Sequence, residues 1–292
     1  MKWQTGQRSD NVVDARGGGG GGFGGGRGPR LGLGGIAVVL VIGLLLGKSP
    51  LEMLGLIGQL GGQGGAVPAE QGGAPPADDQ GADFVRVILG ETEVVWGDIF
   101  RRSGRGYEAP RLVLFSGAVE SACGSATAAS GPFYCPADRQ VYLDMSFFQD
   151  MRRQLGGGGD FANAYVIAHE VGHHVQNLLG VSAQVQRARR AGQRVEGDGG
   201  LSVRQELQAD CYAGVWASHA EQKLHWLEGG DVEQALSTAT AIGDDRLQQQ
   251  SQGVVVPDAF SHGTSAQRVR WFRAGFETGD PARCDTFSAA TL

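Results

Sequence analysis

His169, Glu170 and His173 are the residues of this chain best placed to do chemistry together. They stand in the string His169-Glu170-Val171-Gly172-His173. Helix positions four apart share one face, one turn apart, so both imidazoles can point at a single metal ion. Glu170 falls on the adjoining face, within reach of a water beside that ion. The chemistry indicated is hydrolysis, with zinc as Lewis acid and a carboxylate as general base. A catalytic zinc usually takes three protein ligands and keeps one position open. The third ligand must come from elsewhere, and the downstream candidates are Glu206, Asp210, His219, His225 and His262.

Two helices have to position these groups. Phe161, Ala164, Tyr165, Ala168, Val171, Val175, Leu178 and Leu179 recur at three- and four-residue spacing, which predicts a helix around the motif. Asp160 suits its N-cap and Gly180 its stop. Gly172 costs such a helix roughly 1 kcal/mol relative to alanine, a cost that close packing of another segment would explain. His174 points away from the pair and reads as structural. A second helix is predicted from Leu201 to His219, with Val203, Leu207, Cys211, Gly214, Val215 and Ser218 as its apolar stripe. Glu206 and Asp210 flank that stripe one turn apart. One of these carboxylates can bind zinc while the other accepts a hydrogen bond from a zinc-bound imidazole and fixes its tautomer.

The strings His169-Glu170-Val171-Gly172-His173-His174-Val175-Gln176 and Glu206-Leu207-Gln208-Ala209-Asp210-Cys211 resemble the bacterial neutral zinc metallopeptidase family. More broadly they are similar to the gluzincin peptidases, whose pattern is H-E-x-x-H followed by E-x-x-x-D. The resemblance covers a membrane-anchored layout and the whole region from about Phe84 to Cys284. It implies one zinc ion per chain held by His169, His173 and Glu206, with Glu170 as general base and Asp210 bonded behind the ligands. It also implies a zincin domain of minigluzincin type, in which an edge strand lines the cleft and pairs with extended substrate. The segment Ser261 to Arg268 is similar to an H-P-x-x-x-x-R element of membrane gluzincins, with Gly263 where proline is usual. By that likeness His262 and Arg268 are candidate stabilisers of the oxyanion. The implied activity is hydrolysis of peptide bonds in a protein or peptide substrate. The alternatives are a catalytically silent zinc-binding scaffold or chaperone, and a zinc hydrolase of non-peptide bonds. Glu170 counts against the scaffold, since a pure binder needs no base.

The rest of the chain reads as follows. Phe84 to Ser103 is predicted helical; Arg111–Phe115, Gln140–Asp144 and Phe133–Cys135 are predicted strands. Ser146 to Leu155 begins another helix, broken by Gly156 to Gly159, and two more are expected over Asp231–Gln250 and Thr264–Phe276. The domain is therefore α+β, mostly helical with a small sheet. Trp216, Trp226 and Trp271 suit its core. Of the four cysteines, Cys123 and Cys135 would close a short Gly/Ala/Ser loop, and Cys211 and Cys284 would tie the C-terminal region to the Glu206 helix. No C-x-x-C pair suggests a cysteine metal site.

Glycine makes up 50 of 292 residues, against a usual share of about 7%. The excess lies in Gly17 to Gly28 and in a Gly/Pro/Ala-rich run over about Gly61 to Ala82, both expected to be flexible. Between them Leu31 to Gly47 is uncharged, bounded by Arg30 and Lys48 and stopped by Pro50. As helix it would span about 26 Å, enough for a short bilayer crossing. Thirty residues precede it and no A-x-A site follows, which favours an uncleaved anchor over a signal peptide. Lys2, Arg8, Arg16, Arg27 and Arg30 against Asp10 and Asp14 give the first thirty residues a net charge of +3; the remainder holds 20 basic and 29 acidic residues. The positive-inside rule then predicts a layout: a Gly-rich basic cytoplasmic tail (1–30), a transmembrane helix (31–47), a flexible linker (48–82), and a zinc peptidase domain (83–292) outside the cytoplasmic membrane. No cluster of Lys and Arg indicates nucleic-acid binding.

Overall fold

The structure, a computed structural model, describes residues 1–17, 67–68, 72–154 and 158–292. A three-residue strand, β1 (Val12–Asp14), comes first, and a two-residue strand, β2 (Val67–Pro68), precedes helix α1 (Gln80–Arg102). Asp79 starts α1 by accepting the Ala82 amide at 3.0 Å. The short apolar run Leu112 to Phe115 that follows forms most of β3 (Arg111–Phe115) and is buried throughout. A hairpin of β4 (Ala118–Ser121) and β5 (Gly124–Thr127) leads to β6 (Phe133–Cys135) and β7 (Gln140–Asp144). The rest is helical: α2 (Ser146–Gln154), α3 (Asp160–Leu178), α4 (Val181–Arg190), α5 (Leu201–Leu224), α6 (Asp231–Ala241), α7 (Asp244–Gln252) and α8 (Ser265–Thr278).

The larger sheet has the order β1-β3-β7-β6, with the first three strands parallel and β6 antiparallel to β7. The smaller sheet runs β2-β4-β5. Helices α1, α3 and α5 pack into one core with the sheet, through Val85, Ile88, Trp96, Leu112, Leu143 and Ile167 among others. Trp216, Trp226 and Trp271 belong to that core. Helix α3 is buried almost all round, which is why its apolar residues are not confined to one stripe.

Glycines set the helix approaches that matter for the site. A Cβ on Gly172 would stand 3.0 Å from the Ala209 carbonyl oxygen and 3.1 Å from the Ala209 Cα, so α3 and α5 approach backbone to backbone at the motif. Helices α5 and α8 cross closer still: a Cβ on Gly214 would meet the Phe272 carbonyl oxygen at 2.1 Å, and one on Gly275 the Cys211 carbonyl oxygen at 2.0 Å. Two disulfides cross-link these elements. Cys123–Cys135 joins the β4–β5 turn to the end of β6, and Cys211–Cys284 joins α5 to the C-terminal segment.

The membrane layout does not hold. No described helix is long and apolar enough to cross a membrane; the run 31–47 itself lies outside the described residues. The first seventeen residues are not a separate tail. Val12, Val13 and Asp14 pair in parallel with Leu112, Val113 and Leu114, while Ser9 and Gln7 bond to Arg86 and Glu91 of α1. Arg8 pairs with Asp83 at 2.7 Å. A single crossing between residues 17 and 72 would put these partners on opposite sides of a bilayer, whereas they are hydrogen-bonded neighbours. The described residues form a mixture of helices and two small sheets, and none of those helices can span a membrane.

Part of the expected linker is also built in. Asp14 and Gly73 exchange backbone hydrogen bonds at 2.7 and 3.2 Å, and α1 begins at Gln80. Three further boundaries move. Gly159, not Asp160, caps α3, and Asp160 instead accepts the Trp3 indole N–H at 3.1 Å. The α5 helix runs on from His219 to Leu224. The single helix expected over Asp231–Gln250 is two, because Gly243 presses against Ser265 and Asp244 turns to bind the next loop.

Candidate metal centre

Helix α3 presents His169 and His173 one turn apart, and α5 brings Glu206 against them. The Glu206 Oε2 lies 3.2 Å from His169 Nε2 and 3.4 Å from His173 Nε2, and the three ligand atoms all lie within 4.8 Å of one another. Both imidazoles turn their other nitrogen to an acceptor: His169 Nδ1 to Asp210 Oδ1 at 2.8 Å, His173 Nδ1 to Gln176 Oε1 at 2.9 Å. With one proton held on Nδ1, each Nε2 that gives up its proton to a metal would turn its lone pair to the same point as Glu206. Two imidazole nitrogens and a carboxylate meeting at one point are a donor set that suits zinc.

The electrostatics agree. Burial opposes charge on His169, but the Asp210 carboxylate and the bonds to Asp210 and Glu206 overcome it and raise its pKa to about 10. Burial likewise opposes charge on His173, and Glu206 raises it. Burial pushes Glu206 up, yet the two imidazoles hold it well below the usual carboxylate range. The site thus stabilises positive charge between these side chains, which a divalent cation would supply. Glu170 sits on the same cavity wall, 8% exposed. Burial raises its pKa above the usual value despite the neighbouring histidines, so it is a stronger base than an exposed carboxylate.

Asp210 is the hub behind His169. It is fully buried and accepts Tyr165 Oη at 2.5 Å and two nitrogens of Arg268 at 2.9 Å in addition to His169. Arg268 therefore does not stand free at the reaction centre as an oxyanion donor. Its guanidinium is committed to Asp210, to Tyr165 Oη at 3.2 Å and to the Ile242 carbonyl at 3.3 Å. His262 is different. Half its side chain is exposed in the cavity, and Asp244 faces its Nδ1 at 3.2 Å while also accepting the backbone amides of Ser261, His262 and Gly263. Burial opposes charge on His262, and Asp244 and Glu206 raise its pKa.

The other histidines stay away from this point. His174 is buried, with Nε2 on the Glu108 carbonyl at 2.6 Å and Nδ1 on Tyr134 Oη at 3.1 Å, and burial lowers its pKa. His219 bonds the Gly279 carbonyl at 2.8 Å, and His225 ends α5 in a left-handed conformation.

The cavity holds about 560 Å³. One wall is the edge strand β6, which lines it along Phe133 and Tyr134, with Phe147 beside them. Among the described residues no strand pairs with the outer side of β6. Three partners of the site were not singled out in the sequence. Gln176 and Tyr165 carried a usable signal, since they lie three residues after His173 and four before His169. Asp244 carried none, being 18 residues from His262.

Comparison with known proteins decides the family. The family model described as "Putative neutral zinc metallopeptidase" matches residues 1–287. The chain belongs to this family. It is 50% identical over 289 residues to "Uncharacterized protein YpfJ" of Escherichia coli K12, covering 98% of this chain and 99% of the relative. It is also 50% identical over 197 residues to "Uncharacterized protein Rv2575" of Mycobacterium tuberculosis and to "Uncharacterized protein Mb2605" of Mycobacterium bovis, in each case 64% of this chain and 65% of the relative. No solved structure matches the chain. The first seventeen residues lie inside the matched region, as they lie inside the folded body.

Proposed function

We propose that this member of the family is an active zinc-dependent endopeptidase, with His169, His173 and Glu206 as the metal ligands and Glu170 as the general base. The observation that carries the reading is the meeting of two Nε2 atoms and one carboxylate oxygen in a cleft that also holds the Glu170 carboxylate. When bound, zinc supplies a Lewis acid that polarises the scissile carbonyl and lowers the pKa of an attacking water from about 16 to about 7. Glu170 takes the proton of that water as it attacks and delivers it to the departing amine. His262, held by Asp244, donates from Nε2 to the oxygen on which negative charge develops. An extended peptide adds to the free edge of β6 by main-chain hydrogen bonds.

Glu170→Gln is the test. It keeps the shape and removes the base. The expected result is unchanged zinc content and loss of hydrolysis of an unfolded protein substrate. Wild-type turnover by that variant would remove Glu170 from the role. Zinc binding without hydrolysis in the unaltered chain would favour a binding scaffold, and cleavage of esters but not peptides a different hydrolase.

A further inference from the structure

We propose that Gln176 is the positioning residue for His173: its amide oxygen holds the Nδ1 proton and so keeps Nε2 bare toward the metal position. The proposal rests on the zinc-site reading above and concerns a residue that reading does not use.

Gln176 is fully buried, and its amide has only one workable orientation. Its Nε2 lies 2.7 Å from the Gln205 backbone carbonyl oxygen, which can only accept. The same Nε2 donates to Gln208 Oε1 at 3.1 Å. Gln208 is fixed in turn, because its own Nε2 donates to the Cys284 carbonyl at 3.0 Å. Turning either amide over would bring oxygen against oxygen at buried positions, so the Gln176 Oε1 must face His173 Nδ1, where it lies at 2.9 Å. The relay runs from the imidazole through two amides to a backbone carbonyl of the C-terminal segment, which the Cys211–Cys284 disulfide ties to α5. The two ligand histidines are thus aimed by different chemistry. His169 has a charged acceptor, and His173 a neutral one whose direction is set by the hydrogen bonds of the amide relay.

Gln176→Met removes the acceptor at similar volume, and Gln208→Met removes only the outer amide. Zinc affinity of the full chain is measured by competition with a chromophoric chelator, with folding checked by circular dichroism. Gln176→Met is expected to bind zinc about 10- to 100-fold more weakly. Gln208→Met is expected to lose less, since the Gln205 carbonyl still holds Gln176. Wild-type affinity in a folded Gln176→Met chain overturns the proposal. If that variant does not fold, 15N NMR of the His173 ring in the unaltered protein decides: a proton on Nδ1 protected from solvent exchange supports the bond, and a bare Nδ1 refutes it. An unaltered chain that binds no zinc would defeat the zinc reading instead, while the ring measurement would still report on Gln176.

Discussion

Arg268 grips Asp210 with two nitrogens, each 2.9 Å from a carboxylate oxygen, and Asp210 uses one of those oxygens to hold His169 Nδ1 at 2.8 Å. The arginine on α8 thus sets the aim of a metal ligand on α3 through an acid on α5. All three groups are buried. Burial pushes Asp210 up, and the Arg268 and His169 charges bring it down to about 2, so it remains an anion that needs its partner.

Removing that partner separates two roles for Arg268. Arg268→Leu leaves a buried carboxylate without its main counter-charge, which costs about 3–5 kcal/mol. The expected outcome is a large drop in stability by denaturant titration, together with weaker zinc binding. A variant with normal stability and zinc content that lost only turnover would place Arg268 on the reacting atoms.

His262 should behave in the opposite way. Its side chain is half exposed, and among the described residues Ser261 and Asp244 hold its ring. His262→Ala is expected to keep zinc affinity and stability near the unaltered values and to lower kcat about 100- to 1000-fold, the scale of losing one oxyanion donor. Steady-state kinetics on a single peptide checks this, and an unchanged kcat would remove the residue from catalysis.

The crossing of α5 and α8 gives a packing test. Alanine at Gly214 would gain up to about 1 kcal/mol of helix propensity. Its Cβ would also stand 2.1 Å from the Phe272 carbonyl oxygen, a backbone atom that cannot turn aside. Sterics win, and Gly214→Ala should lose about 1–3 kcal/mol. Because the same crossing places Arg268 on Asp210, zinc affinity should fall with it. A stabilised variant would show the helices to be less tightly apposed.

The N-terminal arm should release in acid. The Ala82 amide and Arg16 hold Asp79 below the ordinary aspartate value of 3.8, Arg8 does the same for Asp83, and Arg16 for Asp14. A carboxyl whose pKa is depressed by folding contributes stability above its unfolded value and loses it as pH falls through the folded one. Pulsed amide exchange of residues 1–17 should therefore show protection at pH 6 that is lost progressively below about pH 3.8. Equal protection at pH 6 and pH 3 would mean that the strand pairing alone holds the arm.

The sequence by itself determined whatever depends on a helix's own period. His169 and His173 share a face because they are four apart, Glu170 follows them onto the cleft, and Glu206 and Asp210 stack one turn apart on α5. The strands β3 and β7 were legible for a different local reason, since short apolar runs between turn residues mark buried strands. The β4–β5 hairpin was not, because Ala118–Ser121 and Gly124–Thr127 carry little apolar signal. Only the tertiary structure decided how these periods meet. It put Arg268 on Asp210 rather than in the open cleft, Gln176 on His173, and Asp244 under His262, pairings whose members range from three to 58 residues apart. It also joined β1 to β3 across nearly a hundred residues. An apolar window reports how its residues partition from water and says nothing of where the chain on either side of it packs. Hydrogen bonds and ion pairs are satisfied between neighbours in space, and spatial neighbourhood is fixed by the fold as a whole.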